Sequence, residues 1–351
     1  RTLDPIRQPG KADRLGWDAY GSGLIVSVGG RSQQVHTPDE QDITSALLKV
    51  SRDTVPVVYF LSGHGEPSPT GSEEDDYGQI GALLADNNYD VRTLNLAVTG
   101  TVPSDAALLV LAGPETPLLP DERASLRTYL QSGGKALIML DPGVESGIND
   151  VLAPWEVRVE DMVVVDLQRG LSGDVVTPVI DRYAFSQITK DLPMVALPLA
   201  CPIVGPVEGD TVEGYQALAQ TSVQSWADSD VPGADGSPAE DLAYDESTDL
   251  RGPLTLLATV EVGETRIVLV GDSDLATNAV LQQIPNGQYL LLNAVNWLAE
   301  EEELIAIGPK ANVPRTIQMS TIQEGTVCFG SLILIPGAVL VAGLAVWLRR
   351  R

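Results

Sequence analysis

Between residues 55 and 140, short wholly apolar runs alternate with stretches whose apolar positions recur at helical spacing. PVVYFL (56–61), AALLVLAG (106–113) and KALIML (135–140) carry no polar alternation. A strand buried on both faces reads this way, whereas a strand with one wet face alternates. YDVRTLNL (89–96) supplies a further strand, preceded by the helical pattern of YGQIGALLADN (77–87). LPDERASLRTYLQSGG (119–134) predicts a helix that Pro120 and Asp121 start and Gly133-Gly134 stop. Strands alternating with helices predict a parallel, doubly wound sheet. Residues 205–250 break the pattern: they are rich in Gly, Ser, Asp and Pro, and read as a long acidic surface insertion, partly mobile. Order returns with PLTLLATVEV and ETRIVLVGDSD, a hairpin around Gly263, and then the helix GQYLLLNAVNWLAEEEE (287–303). No internal repeat is evident.

The last apolar stretch differs in kind. Residues 327–348 are uncharged and are followed by Arg349, Arg350 and Arg351. As a helix, about 22 residues at ~1.5 Å each span ~33 Å, enough for a hydrocarbon core of ~30 Å. The basic flank places the tail in the cytoplasm and the acidic body outside, so the chain is expected at the cell membrane with its bulk extracytoplasmic or periplasmic. Pro336 and Gly337 are tolerated within a membrane helix. Ala338 and Ala342 form a small-xxx-small pair that would seat another helix, giving homo- or hetero-oligomers. Arg1 opens the sequence without a signal peptide, so an export signal or first membrane helix is expected upstream. The expected organisation is then an N-terminal segment (1–54) completing or leading into the domain, an α/β domain (55–304), a juxtamembrane segment (305–326), the membrane helix (327–348) and a basic tail (349–351).

Charge removes one class of partner. Lys+Arg total 22 against Asp+Glu 48, a net charge of −26, which would repel a phosphate backbone and excludes nucleic acid. Cys201 and Cys328 are too few for a disulfide framework or a zinc site.

Four of the buried strands end in conspicuous residues. PVVYFL runs into Ser62-Gly63-His64-Gly65-Glu66, AALLVLA into Gly113-Pro114-Glu115, KALIML into Asp141, and RIVLV into Gly271-Asp272-Ser273-Asp274. In an open parallel sheet the carboxyl ends of the strands share one edge, where ligands bind. Ser62, Gly63, His64, Gly65, Glu66, Asp141, Asp272 and Asp274 are therefore expected on one rim. Hydrolysis needs a nucleophile with a base in reach; Ser62 and His64 are too close in sequence for a normal triad, and there is no G-x-S-x-G elbow. Asp141, Asp272 and Asp274 are oxygen ligands suited to Ca²⁺ or Mg²⁺, but GDSD lacks the spacing of a calcium loop, and no metal or cofactor is expected. Neither dinucleotide nor P-loop fingerprints occur. The remaining reading is structural, with Asp272 or Asp274 as a cap, the glycines at positive φ and His64 bonded to a neighbouring loop.

VVYFLSGHGE, LLVLAGP, YLQSGGKALIMLDP, GDSDLATNAVL and LLLNAVNWLAEEEE occur in this order in the GldG-type family, gliding-motility-associated auxiliary proteins of ABC transporters, which the chain resembles. DPIRQPGKADRLG, AYGSGLIVSVGGRSQQV and EQDITSALLKV are similar to the segment before its GHGE motif. The resemblance implies a Rossmann-like (flavodoxin/glutamine-amidotransferase-like) α/β domain with a mostly parallel sheet and flanking helices, related to the GIFT domain of intraflagellar-transport proteins. It also implies a C-terminal transmembrane helix, and an ABC permease and ATPase as partners. The family carries no established catalytic residue, so the resemblance supplies motif positions without a mechanism. The expected function is a membrane-anchored, non-catalytic auxiliary subunit that presents its domain to substrate or partner. The alternative is an extracytoplasmic hydrolase or metal-dependent enzyme acting on glycans or peptides through a rim of His64, Glu66, Asp141, Asp272 and Asp274.

Overall fold

The structure is a computed structural model that describes residues 55–206, 214–229 and 242–300, together with 24–28, 31–35, 347–350 and positions 10, 43, 46, 47 and 50. The chain divides into two compact units, Arg1–Lys310 and Ala311–Arg351. In the second unit the described residues, Trp347 to Arg350, are helical. Nearly all of the expected membrane span and juxtamembrane segment lies outside the described residues, among which no helix is long and apolar enough to cross a membrane.

Among the described residues the main sheet contains β1 (Val57–Leu61), β2 (Asp90–Leu94), β3 (Ala106–Ala112), β4 (Lys135–Met139), β5 (Arg158–Val159), β6 (Ile203–Val204), β7 (Tyr215–Gln220), β8 (Thr255–Val262) and β9 (Thr265–Val270). Their order is β2-β1-β3-β4-β9-β8-β6-β5, and β7 also pairs with β8. From β2 to β9 every pairing is parallel. Beyond β9 the pairings are antiparallel, beginning with the β8–β9 hairpin across Gly263. With β9 counted as its fifth strand, the parallel part has the spatial order 2-1-3-4-5 of a flavodoxin-like sheet.

Both faces of this sheet are covered, which is why its strands read as unbroken apolar runs. Val58, Phe60, Leu108, Val110, Leu137, Met139 and Val268 share one core with Ile80 and Leu84 of α1 (Gly78–Asp86) and with Leu290, Leu291 and Val295 at the C-terminal end of the domain. Their sequence neighbours Tyr59, Leu61, Leu109, Leu111, Ile138, Ile267 and Leu269 point the other way. They meet Leu126 and Leu130 of α2 (Pro120–Gln131) and Val151 and Leu152 of α3 (Ile148–Leu152). Two further helices lie in the last part of the body, α4 (Asn278–Gln283) and α5 (Gly287–Leu298), the latter supplying Leu290, Leu291 and Val295.

The acidic insertion requires a correction. Residues 205–250 do not form only a surface excursion, because Tyr215–Gln220 is strand β7, with Leu218 and Ala219 buried in the first core. Trp226–Asp228 pairs with Val163–Val165, burying Trp226 and Ala227. Asp166, with no exposed surface, ties this segment down. Its Oδ1 accepts the Gln168 and Arg169 N–H groups and the Ser222 hydroxyl, while Oδ2 accepts the Ser222 N–H at 2.8 Å. A carboxylate that gathers four donors can be buried without a counter-charge.

Candidate functional site

The strand order reverses between β1 and β3, so a crevice opens at their carboxyl ends. The turn after β1 occupies it. Gly63 and Gly65 adopt φ of +129° and +93°, conformations that side-chain-bearing residues avoid. A Cβ on Gly65 would also lie 2.7 Å from Glu115 Oε2, so the turn admits nothing larger there. The His64 carbonyl accepts the N–H groups of Glu115 (2.8 Å) and Thr116 (3.1 Å), which staples the end of β1 to the loop after β3. Ser62 donates its N–H to Leu94 O at 3.0 Å, on the β2 side.

The His64 side chain is 10% exposed and lies between two carboxylates. Nε2 is 2.9 Å from Glu122 Oε2, and Nδ1 is 3.5 Å from Glu66 Oε1. The second contact is too long for a good hydrogen bond, and Glu66 Oε1 is buried without one. Glu66 Oε2 instead accepts the His64 N–H at 2.7 Å, closing the turn on itself. Glu122 Oε2 also accepts the Leu119 N–H at 2.8 Å and so satisfies an open donor at the start of α2. Sequence reasoning missed Glu122. The signal was present: Glu122, Leu126 and Leu130 form one row at a spacing of four, which puts a carboxylate in line with two core leucines.

The second group lies at the ends of β4 and β9. Asp141 Oδ1 accepts the Ser273 N–H at 2.6 Å, and Oδ2 accepts the Ser273 hydroxyl. Asp272 is fully buried. Its Oδ1 accepts the Asp274 N–H at 2.8 Å, and its Oδ2 has no hydrogen-bond partner. Tyr77 donates its hydroxyl to Ser273 O at 2.7 Å. Gly271 permits the close approach here, since a Cβ would fall 1.9 Å from Cys201 O.

Burial, followed by the charges of Asp141 and Asp274, pushes the Asp272 carboxyl well above its ordinary range. Burial also raises Asp141, partly offset by its two bonds from Ser273. Asp274 is pushed up to about 6, by burial first and then by Asp141 and Asp75. Among the described residues no lysine or arginine pairs with any of the three.

The expected rim is thus two groups on one sheet edge. Ser62, Gly63, His64, Gly65 and Glu66 sit at the crevice, and Asp141, Asp272 and Asp274 sit at β4 and β9. Among the described residues no hydrogen bond or ion pair joins the groups. Asp272 caps the turn that follows it, whereas the cap of α4 is Thr277, whose side chain accepts the Val280 N–H. No three His, Cys, Asp or Glu side chains among the described residues are disposed to hold a metal ion. A gap of about 10 Å³ between α2 and the sheet, lined by Leu61, Leu109, Leu126, Tyr129 and Ile148, lies in the apolar core and offers nothing polar to a ligand.

The fold is similar to that of the mmIFT52 N-terminal domain, with a TM-score of 0.51 at 17% identity, covering 69% of this chain and 97% of that one. At that identity the likeness is one of fold alone. A thua-like protein from Bacteroides uniformis ATCC 8492 aligns at a TM-score of 0.41 and 9% identity, covering 70% of this chain and 93% of its own. A cytoplasmic protein from Salmonella typhimurium LT2 aligns at 0.43 and 13%, covering 69% and 99%. Among curated proteins none matches the sequence. A family model does match residues 55–296, which is the whole α/β body from β1 through most of α5.

Proposed function

Because this chain belongs to the ABC_transp_aux family, the auxiliary proteins of an ABC-type uncharacterized transport system, we propose that it is a non-catalytic, membrane-anchored subunit of an ABC transporter complex. The α/β body lies outside the cytoplasm, held by the 327–348 segment with Arg349–Arg351 inside. It works beside a permease and an ATPase, and the carboxyl edge of its sheet meets a substrate or partner.

The observation that carries the non-catalytic part is the setting of His64. One ring nitrogen lies 2.9 Å from Glu122 and the other faces Glu66, and the side chain is 10% exposed, so the ring is turned toward the protein's own carboxylates and not presented to an incoming nucleophile. The basic flank directly after the apolar segment supports an extracytoplasmic place for the body.

The decisive experiment is affinity purification of the tagged chain from native membranes. An ATPase and a permease should co-purify in fixed ratio. A chain recovered alone under conditions that keep other ABC complexes intact would overturn the assignment. Orientation is tested separately by Arg351→Cys, which should resist an impermeant thiol reagent in intact cells.

A further inference from the structure

We propose that the loop 182–190 is a membrane-contact element, in which Phe185 enters the surface of a phospholipid bilayer while Arg182 and Lys190 meet lipid phosphates. The inference rests on the reading of this chain as membrane-anchored and adds which part of the body meets the membrane.

Three observations converge. First, Phe185 is 90% exposed, more than any other exposed large hydrophobic side chain among the described residues. The backbone that carries it is nevertheless fastened. The Ala184 N–H donates to Leu218 O at 2.8 Å, the Gln216 amide to Phe185 O at 3.2 Å, and the Thr189 hydroxyl to Ala184 O at 2.7 Å. A closed loop thus holds an apolar ring out in water, where it gains nothing until something covers it. Secondly, Arg182 and Lys190 are exposed, and neither has an ion-pair partner among the described residues. Arg92, Arg123, Lys135, Arg158, Arg169 and Arg266 all have one. Of the two carboxylates that flank the loop, Asp181 is paired with Arg169 at 3.4 Å, which leaves Asp191 against two cations.

Thirdly, the loop lies toward the edge from which the chain leaves the body. α5 ends at the amino edge of the sheet, where Glu300 pairs with Lys135 at the start of β4 and Trp297 O accepts from Arg266 near the start of β9. Asn286, just before α5, bonds Met194 O, and Asn293, about 10 Å further along, bonds Ile188 O. The path from Met194 back through Ile188 to Phe185 therefore leads toward that edge. β7 gives the same direction. Tyr183 bridges Ala219, whereas Phe185 meets Gln216, nearer the end of β7 that pairs with Val260 beside the β8–β9 hairpin.

Chemistry selects the occupant. A protein hot spot is a packed patch ringed by further contacts, whereas no second large apolar side chain is exposed between residues 182 and 190. One ring projecting between two cations suits the bilayer interface, where aromatic rings sit at the headgroup level and basic side chains reach the phosphates. Anionic headgroups attract Arg182 and Lys190 but repel the rest of a chain whose net charge is −26, so the bilayer admits this loop and turns the remaining surface away. The carboxyl edge with the His64 turn then faces away from the membrane.

The test uses the full chain in vesicles of phosphatidylcholine with a minority of phosphatidylglycerol, labelled with the fluorophore NBD at Gln187→Cys. Gln187 is exposed and leaves Phe185 in place; Cys328→Ser removes a competing thiol, and Cys201 is buried. The NBD emission should shift to the blue and be quenched by a lipid spin-labelled just below its headgroup. NBD at Val98→Cys, a side chain 81% exposed after β2 at the opposite edge, should show neither change. Phe185→Asp in the 187-labelled chain should abolish both signals at unchanged Tm. Arg182→Gln with Lys190→Gln should weaken the quenching and remove its dependence on salt. No quenching at 187, equal quenching at 98, or full quenching in Phe185→Asp would each overturn the proposal. So would a blue shift in native membranes that spin-labelled lipid leaves unquenched, which would seat the loop on a protein. Flotation after an alkaline wash reads the anchor separately. A chain that floats but is unquenched at 187 removes only this inference, and one that is quenched at 187 but washes off removes only the anchor.

Discussion

Asp274→Asn should stabilise the protein at neutral pH and leave it unchanged in acid. The carboxyl moves from 3.8 to about 6 in the folded protein, through burial and the nearby charges of Asp141 and Asp75. A raised carboxyl binds its proton more tightly when folded than when unfolded. Between the two values the native state holds more protons, so its stability falls as pH rises from about 4 through about 6. A difference of roughly two in pKa, at about 1.4 kcal/mol each, sets an upper magnitude near 3 kcal/mol; partial exposure of the group reduces it to about 1–3. Asparagine mimics the neutral acid and removes the titration. Urea unfolding of parent and variant at matched pH, from 4 to 7.5, reads the effect as a difference, so that titrations common to both cancel. The difference should be near zero at pH 4, grow through pH 6 and level off above 7. A flat difference, or a variant less stable at pH 7, would mean that the carboxylate is already compensated in the folded protein and that the argument for an uncompensated acid cluster is wrong.

Other outcomes follow from the packing. Val58→Asp or Leu109→Asp places a charge on one or the other buried face of the sheet, and should cost several kcal/mol or abolish folding; an unchanged Tm would mean that these strands are not core. Glu122→Ala strands both the Leu119 N–H and His64 Nε2, and should cost about 1–3 kcal/mol, whereas His64→Gln should cost only about 1 kcal/mol. If His64→Gln reduced transport by orders of magnitude while leaving Tm unchanged, the non-catalytic reading would fail. Replacing 205–250 by a Gly/Ser bridge should unfold the body, because it removes β7 with Leu218 and Ala219; a variant that melts like the parent would contradict the pairing of β7 with β8.

Much of the fold was legible in the sequence for one reason. Strands covered on both faces must be apolar at every position, and β1, β3 and β4 stand out against polar helix surfaces. The start of α2 at Pro120 and the hairpin at Gly263 were equally plain, since backbone chemistry marks them. The antiparallel margin was not. β5 and β6 are two residues long, and YQALAQ of β7 is hidden in a Gly- and Asp-rich neighbourhood whose average composition outweighs six residues. The rim divides in the same way. Asp141, Asp272 and His64 announced themselves by following apolar runs, but their partners did not. Glu122 looked like an ordinary acidic residue in a first turn, and only its place in the row with Leu126 and Leu130 sends it inward. That Asp272 would be sealed while Asp274 stays partly open could not be read from GDSD, because it depends on Cys201 and Tyr77, which lie far away in sequence.

The pairing of β4 with β9 also bears on how the protein is made. Leu137 lies beside Val268, and the β9–β8 hairpin that completes the sheet is near the end of the body. As the chain leaves the ribosome, β1 to β4 and their helices emerge first, with one long apolar edge at β4 still unpaired. That edge stays open while the whole intervening stretch is synthesised, and β9 then closes it by a contact of high sequence separation. Such closures are slow, and exposed strand edges aggregate while they wait. Assembly of this domain therefore depends on delivery of its last third, and a chain that stops before residue 265 is a nucleus for aggregation rather than a smaller domain.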